Sequence, residues 1–294
     1  MRARHGIESW KDFFVGLYTR AAEADIFSHA AQVAFYFSFA LFPLLYFLVS
    51  LFGIVLETSE GLREELFGYL RQIMPYTVFD LVRRTIDEII ASSSGGKATL
   101  GLIVALWSAS AGVDAVRTSL NFIYGLKERR AWPRTKVQAI LLTFIVTVIV
   151  GLTLAIVFYG WQLFQSGLAS IGMQVSSPLV LVAIQWISIL LLMLFACELI
   201  FNLLPDRRPF EWVWITPGSI VAIILWIVLT TGFRTYLGYF NTYNRAYGSL
   251  GAVIIMMLWL YLTALALLIG GVINAELHSI KTTRNDDSTG ATGE

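Results

Sequence analysis

The sequence predicts an all-α fold, a polytopic six-helix transmembrane bundle with amphipathic helices in its long outer loop. Three observations predict it. Charged residues make up 14% of the 294 and hydrophobic ones 57%, whereas a soluble domain carries about 25% charge. Six stretches reach the roughly 20 mainly apolar residues that a bilayer core about 30 Å thick demands: 30–56, 98–125, 137–164, 178–204, 213–237 and 249–274. Lys and Arg divide unevenly between the segments on the two sides, 13 against 6. The mean hydropathy of +0.70 excludes disorder, a collagen-like fibre and a small disulfide scaffold. A net charge of +1 opposes capture of nucleic acid, and the single Cys197 can build neither an internal disulfide nor a cysteine metal cluster.

The N-terminal segment 1–29 places Ile7, Trp10, Phe14, Leu17 and Ala21 at helical spacing, with Lys11, Asp12 and Arg20 elsewhere. That pattern predicts an interfacial or packed amphipathic helix entering span one. Span one contains Pro43, which kinks the helix or frees a carbonyl. The outer loop 57–97 carries two stripes, Leu62–Leu66–Leu70–Ile73 and Phe79–Val82–Ile86–Ile89, divided by Pro75. Two short amphipathic helices, lying on the outer membrane surface or capping the bundle, fit them. SSSGGK at 92–97 reads as a hinge into span two. Span two loses apolar purity at Asp114, and span five approaches its end through Arg234, so five or seven spans are the alternatives. Segment 275–294 is expected to be a cytoplasmic disordered tail. Three spans plus three would suit an inverted repeat, yet no pattern in 30–164 recurs in 178–274.

The richest basic segment is KERRAWPRTK at 127–136. Because Lys and Arg concentrate in cytoplasmic loops, both termini are expected in the cytoplasm. Residues 1–30 show charges throughout and no apolar stretch typical of a cleavable signal.

Candidate functional residues are the polar ones at depth, since Asp or Arg at a helix centre costs about 2.5 to 3.5 kcal/mol. Span two aligns Asp114, Arg117 and Asn121, extended by Trp107 and Ser110. This face is either a polar pathway or a charge pair reaching the interface and locking the bundle. Glu198 and Asn202 lie one turn apart in span four, either an ion-coupled site or a structural bond, with Arg117 as the expected partner of Glu198. Arg234 could meet an anionic headgroup or simply snorkel. Tyr236, Tyr239, Phe240, Tyr243 and Tyr247 form an outer mouth or an aromatic belt, and Trp132, Trp212 and Trp214 a matching inner girdle. Gly101, Ala105, Ser108 and Gly112 make a small-residue packing stripe.

YNRAYGSLGAVIIMMLWLY (243–261) followed by GGVINAEL (270–277) resembles the signature end of the YihY/BrkB family of bacterial inner-membrane proteins. AFYFSFALFPLL (34–45), LWSASAGVDAVRTSLNFIYG (106–125) and LLPDRRPFEWVWITPGSIVA (203–222) are similar to other parts of the family, so the resemblance covers nearly the whole chain. The matching motif residues are Pro43, Pro205, Pro217, Gly218, Tyr243, Asn244, Tyr247, Gly248, Gly251, Asn274 and Glu276. Gly271 and Val272 stand where family members often have a Gly-Ala-Glu before the Asn-Ala-Glu, while Asn274 and Glu276 are kept. The resemblance implies six spans and a place in a bacterial inner membrane. It also brings the older names virulence factor BrkB and ribonuclease BN, the latter regarded as a misassignment.

Soluble catalysis finds little in the sequence. His5, His29 and His278 lack metal-ligand spacing, and no nucleotide-binding loop or nucleophile motif occurs. No cofactor, no metal and no enzymatic activity are expected. The expected role is binding or translocating an amphiphilic or anionic envelope molecule such as a lipid. A non-transporting membrane scaffold is the alternative, and a ribonuclease a remote one. Membrane lipids are the expected partners, with no nucleic acid and with a homo-oligomer left open.

Overall fold

The computed structural model describes residues 10–41, 64, 67–68, 70–72, 74–92, 98–170, 178–239 and 249–290. Every regular element among the described residues is a helix. In chain order these are α1 (Trp10–Glu23), α2 (Ile26–Leu41), α3 (Tyr76–Ser92), α4 (Ala98–Ile123), α5 (Trp132–Ser170), α6 (Pro178–Leu203), α7 (Pro217–Tyr239) and α8 (Ser249–Gly290). The second half of the first expected span with Pro43, and Tyr243, Asn244, Tyr247 and Gly248, lie outside the described residues.

Four helical segments among the described residues are long and apolar enough to cross a membrane: Trp132–Val157, Val182–Leu203, Pro217–Tyr239 and Gly251–Ile280. The α7 segment has mean hydropathy 1.8, yet 11% of its apolar window is buried within the protein. Leu179, Leu191, Ile224 and Val228 point outward. Apolar surface on that scale is unstable against water and stable against hydrocarbon. The hydroxyls on these helices obey the same solvent. Thr143, Thr147, Thr153 and Thr263 each donate to the carbonyl four residues back, at 2.7–2.9 Å, so none is left bare in a medium without water.

Helix ends follow local chemistry more closely than hydropathy does. The fifth expected span, 213–237, instead begins as a helix at Pro217. Proline suits the first helical position because its missing N–H would have no partner there. α5 starts at Trp132 rather than 137, with Pro133 in its first turn. α8 does not stop at 274. Ala275 and Glu276 are buried against α1, so the helix continues where a disordered tail was expected. α3 starts directly after Pro75, whose carbonyl accepts the Phe79 N–H at 3.0 Å.

α7 and α8 pair most extensively, and α4–α5, α5–α6 and α6–α7 are neighbours. α1 and α3 both dock on α8, at opposite ends. At the end carrying loop 124–131, here the basic end, Leu120, Ile123, Leu142, Phe201, Leu204 and Leu268 form the main core. At the far end, Phe67, Leu70, Phe79 and Val82 pack on Phe233, Ile255 and Met256. Gly112 of the small-residue stripe receives the Phe37 ring, which a Cβ would approach to 3.2 Å.

The α1 stripe is rotated from the one expected. Leu17 and Ala21 do pack inward, but Phe14 is 62% exposed with Val15 and Tyr18. Gly16 and Arg20 occupy the inward face, because both meet Glu276 of α8. An ion pair, not hydropathy, sets the orientation of this helix.

Candidate functional site

Two polar clusters stand near the basic end. The first is built on the N-terminus of α7, whose opening N–H groups have no partners within the helix. Thr216 is its N-cap, and its hydroxyl lies 3.3 Å from the Ser219 N–H. The Gly218 N–H donates to Asn274 Oδ1 of α8 at 2.8 Å, while Asn274 Nδ2 donates to Thr216 Oγ1 at 3.0 Å. Glu198 of α6, 1% exposed, sits against the same helix end. Its Oε1 accepts the Thr216 N–H at 2.6 Å, the Thr216 hydroxyl at 3.0 Å and the Ser219 hydroxyl at 2.5 Å. The positive end of the helix dipole favours a carboxyl group there.

Asn202 extends this knot to the loop before α7. Its Nδ2 donates to the carbonyls of Glu198 and Val213, each at 2.9 Å, and to Glu198 Oε2 at 3.2 Å. Its Oδ1 accepts the Val213 N–H at 3.0 Å and Arg207 Nη2 at 3.2 Å. Three helices and a loop are thereby tied by one buried set of hydrogen bonds. Gly218 and Gly270 let α7 and α8 touch backbone to backbone, since a Cβ on either would overlap the other's carbonyl oxygen.

The second cluster lies where α4 turns into loop 124–131. Gly125 has φ +66°, and its N–H donates to Phe122 O at 3.0 Å while the Leu126 N–H reaches Asn121 O at 2.8 Å. This left-handed C-terminal cap folds the chain back so that Glu128 faces α4. Glu128 Oε2 then accepts from Arg117 Nη1 at 2.5 Å and from Asn121 Nδ2 at 3.1 Å. Arg130 grips the same carboxylate through Nε at 2.7 Å, Nη2 at 2.8 Å and its own N–H at 3.0 Å. Asn121 Oδ1 accepts the Asp206 N–H at 2.9 Å, joining this loop to the one before α7. Asp114 pairs with Arg117 Nε at 3.4 Å and Lys136 Nζ at 3.2 Å. Lys136 also lies 4.8 Å from the Trp107 ring centre.

Arg117 is therefore committed to Asp114 and Glu128, not to Glu198 as the sequence suggested. The hairpin at Gly125 brings a nearer carboxylate, and the α7 N-terminus already supplies Glu198 with donors. Asp114, Arg117 and Asn121 do share one network, and Glu198 and Asn202 share the other. Arg234 belongs to neither. It is exposed at the far end and donates to the Gln72 carbonyl. Pro205 is buried and Gly251 is buried, whereas Pro217 is exposed. Glu276 pairs with Arg20 Nε at 2.8 Å, and Arg20 Nη1 reaches Ile123 O at 3.3 Å.

The contributions of Glu128, Thr216, Ser219 and Arg20 were not singled out from the sequence. Thr216 and Ser219 had a usable signal, since Thr-Pro-Gly-Ser before an apolar run marks a helix start. Glu128 had none, being one charge within a charged loop.

Burial alone would push the Glu128 carboxyl up, but hydrogen bonds from Arg130 and Arg117 outweigh it and hold the group at about 2, against an ordinary 4.5. Its contribution to stability is complete above pH 4.5 and is lost as pH falls through about 2. Thermal unfolding of purified wild type and Glu128→Gln from pH 6 to pH 2 checks this. The wild-type advantage should shrink across that window, and an advantage unchanged at about pH 2 would refute the network's role.

A family model described as Virulence factor BrkB matches residues 17–292. A ribonuclease-like protein of Bacillus subtilis (strain 168), YfkH, is 30% identical over 271 residues, covering 92% of this chain and 96% of the relative. A UPF0761 membrane protein of Xanthomonas campestris pv. campestris (strain B100) is 25% identical over 275 residues, covering 90% of this chain and 60% of the relative. One of Xanthomonas axonopodis pv. citri (strain 306) is likewise 25% identical, with 90% and 61% covered. The chain thus spans about three fifths of the length of these Xanthomonas relatives. No solved structure matches it. With a family model covering nearly its whole length and four apolar helices of spanning length, the chain belongs to the virulence factor BrkB family and is a bacterial membrane protein.

Proposed function

We propose that this is a six-span inner-membrane protein that binds or translocates an amphiphilic, anionic envelope molecule, with a phospholipid as the best-fitting class. In this reading 1–29 is a cytoplasmic amphipathic segment and 30–274 the membrane domain, with the 57–97 helices capping its outer side. The last residues return to the cytoplasm. The observation that carries the proposal is the basic end. Lys127, Arg129 and Arg134 are exposed beside exposed Trp107 and Trp132, at one end of a bundle whose flanks are apolar. Cations and tryptophans at that level match a layer of anionic headgroups. Asp114, Arg117, Asn121, Glu198 and Asn202 then position the loops that present these cations.

The test is reconstitution in vesicles of phosphatidylglycerol and phosphatidylethanolamine, with retained lipid and transbilayer movement both measured. Surface cations contribute about 1 kcal/mol each, so Lys127→Gln/Arg129→Gln/Arg134→Gln should weaken preferential retention of the anionic lipid at least tenfold, about 1.4 kcal/mol. A folded wild-type protein that shows neither preference nor flux sinks the proposal.

The second reading is a non-transporting scaffold, favoured by how completely the knot around Glu198 is satisfied within the protein. Anionic lipid retained without flux selects it. Catalysis is not part of the proposal. The name of the Bacillus relative suggests a nuclease, but Glu128 and Asp206 are engaged in ion pairs with arginines. A nucleic-acid partner is likewise not proposed, and a homo-oligomer remains compatible with it.

A further inference from the structure

The basic end holds one partly buried cation that the protein leaves without a counter-charge. Among the described residues, the other partly buried lysines and arginines each sit beside a carboxylate: Arg20 with Glu276, Arg117 and Arg130 with Glu128, and Lys136 with Asp114. Arg207, in the loop before α7, has no described carboxylate within ion-pair distance. Its Nη2 donates to Phe201 O at 3.0 Å and Asn202 Oδ1 at 3.2 Å, which closes the C-terminus of α6. Nε and Nη1 have no acceptor in the protein, and of the two only Nε is covered. A charge taken partly out of water with donors to spare is costly until an anion meets it. The guanidinium lies over the Tyr124 ring, 5.6 Å from its centre. Stacking of that kind fixes its plane and keeps the N–H edge for a ligand.

The same tyrosine supplies a second donor. Its hydroxyl makes no hydrogen bond within the protein and is not covered, and it lies in the field of Arg207, Glu198 and Arg20. Arg20 arrives from α1, where its Nη1 donates at 3.3 Å to the carbonyl of Ile123, the residue before Tyr124. Two carboxylates stand in the neighbourhood, and both are engaged elsewhere. Glu276 holds Arg20 Nε, while Glu198 takes the donors at the start of α7. Asn202 stands between Glu198 and Arg207, donating to the first and accepting from the second. Three elements thus bring together two guanidinium groups and a phenol. Donors approaching from several directions suit a tetrahedral oxyanion better than a planar carboxylate.

We propose that Arg207 Nη1 and the Tyr124 hydroxyl, flanked by Arg20, bind a phosphate group at the basic end, carried by a lipid headgroup or by a free phosphate ion. The site goes beyond the lipid reading above, which rests on the exposed Lys127, Arg129 and Arg134. Where the phosphate belongs to a lipid, it names the place at which the headgroup docks.

The full-length protein, stripped of lipid in a neutral detergent, is titrated with inorganic phosphate by equilibrium dialysis. Phosphatidylglycerol and diacylglycerol are titrated in parallel by native mass spectrometry. Tyr124→Phe deletes a hydroxyl that makes no hydrogen bond inside the protein. It should therefore unfold at the wild-type temperature without ligand and bind the phosphate group about fivefold more weakly, as the loss of one hydrogen bond predicts. Arg207→Gln should weaken binding at least about tenfold, because its contact is charge-assisted. Diacylglycerol, which lacks the phosphate, should not discriminate wild type from variants. Saturation by phosphatidylglycerol alone identifies a lipid headgroup as the source, and saturation by inorganic phosphate alone identifies a free ion. If neither saturates, or if both variants bind as the wild type does, the site is refuted. The lipid reading survives that result where the Lys127–Arg129–Arg134 variant still loses its preference for anionic lipid. The reverse pair of results keeps the site and removes the lipid reading.

Discussion

Gly218→Val and Gly270→Val should each prevent accumulation of folded protein in the membrane. A side chain at either position enters the carbonyl of the opposite glycine. Overpacking typically costs 1–3 kcal/mol and sometimes more. The upper end, about 3 kcal/mol, applies here because the obstacle is backbone and cannot rotate aside. Alanine should act in the same direction with a smaller loss. The helices could separate only by breaking the Gly218 N–H bond to Asn274, so the knot would go with the crossing. Detergent extraction followed by size-exclusion chromatography and thermal unfolding reads the effect. Gly232→Val is the control, since nothing lies within 4 Å of a Cβ there. Equal yields from all three variants would show that the close crossing does not limit folding.

Glu198→Ala should be nearly as damaging, while Glu198→Gln should fold. Alanine strands the Thr216 N–H and hydroxyl in a site without water, and each unsatisfied group costs about 1–3 kcal/mol. Ser219 loses less, because its hydroxyl also lies 2.6 Å from the Thr216 carbonyl. The expected loss is about 3 kcal/mol. Glutamine keeps a carbonyl oxygen for the three donors to Oε1 and disturbs only the contact with Asn202, a change of about 1 kcal/mol. The pair separates structure from transport. If Glu198 also carries an ion or proton, the folded glutamine variant loses flux. If the carboxyl group serves only as a helix cap, flux survives. Equal stability of the alanine and glutamine variants would refute the cap.

Much of the architecture is legible because the bilayer is a severe solvent. An uninterrupted apolar run such as 178–204 has little option but a helix, as every backbone group must be satisfied internally. The observed α6, Pro178–Leu203, differs from it by a single residue. Where polar chemistry takes over, the boundaries moved. Pro217 set the start of α7, and the Arg20–Glu276 pair both extended α8 and rotated α1. The sequence also makes Asp114, Arg117, Asn121, Glu198 and Asn202 conspicuous one at a time, because a polar group within an apolar run carries a desolvation cost.

Composition and hydropathy alone determined that the chain is helical and membrane-embedded, and that Asp114, Arg117, Asn121, Glu198 and Asn202 need partners. Only the folded arrangement decided which partners. The left-handed turn at Gly125 carried Glu128 to Arg117, and the crossing at Gly218 and Gly270 brought Asn274 to the start of α7. Insertion into hydrocarbon depends on summed transfer energies, which a linear sequence displays. A hydrogen bond depends on a few tenths of an ångström between groups up to 256 residues apart, as for Arg20 and Glu276, and that distance exists only once the helices have packed.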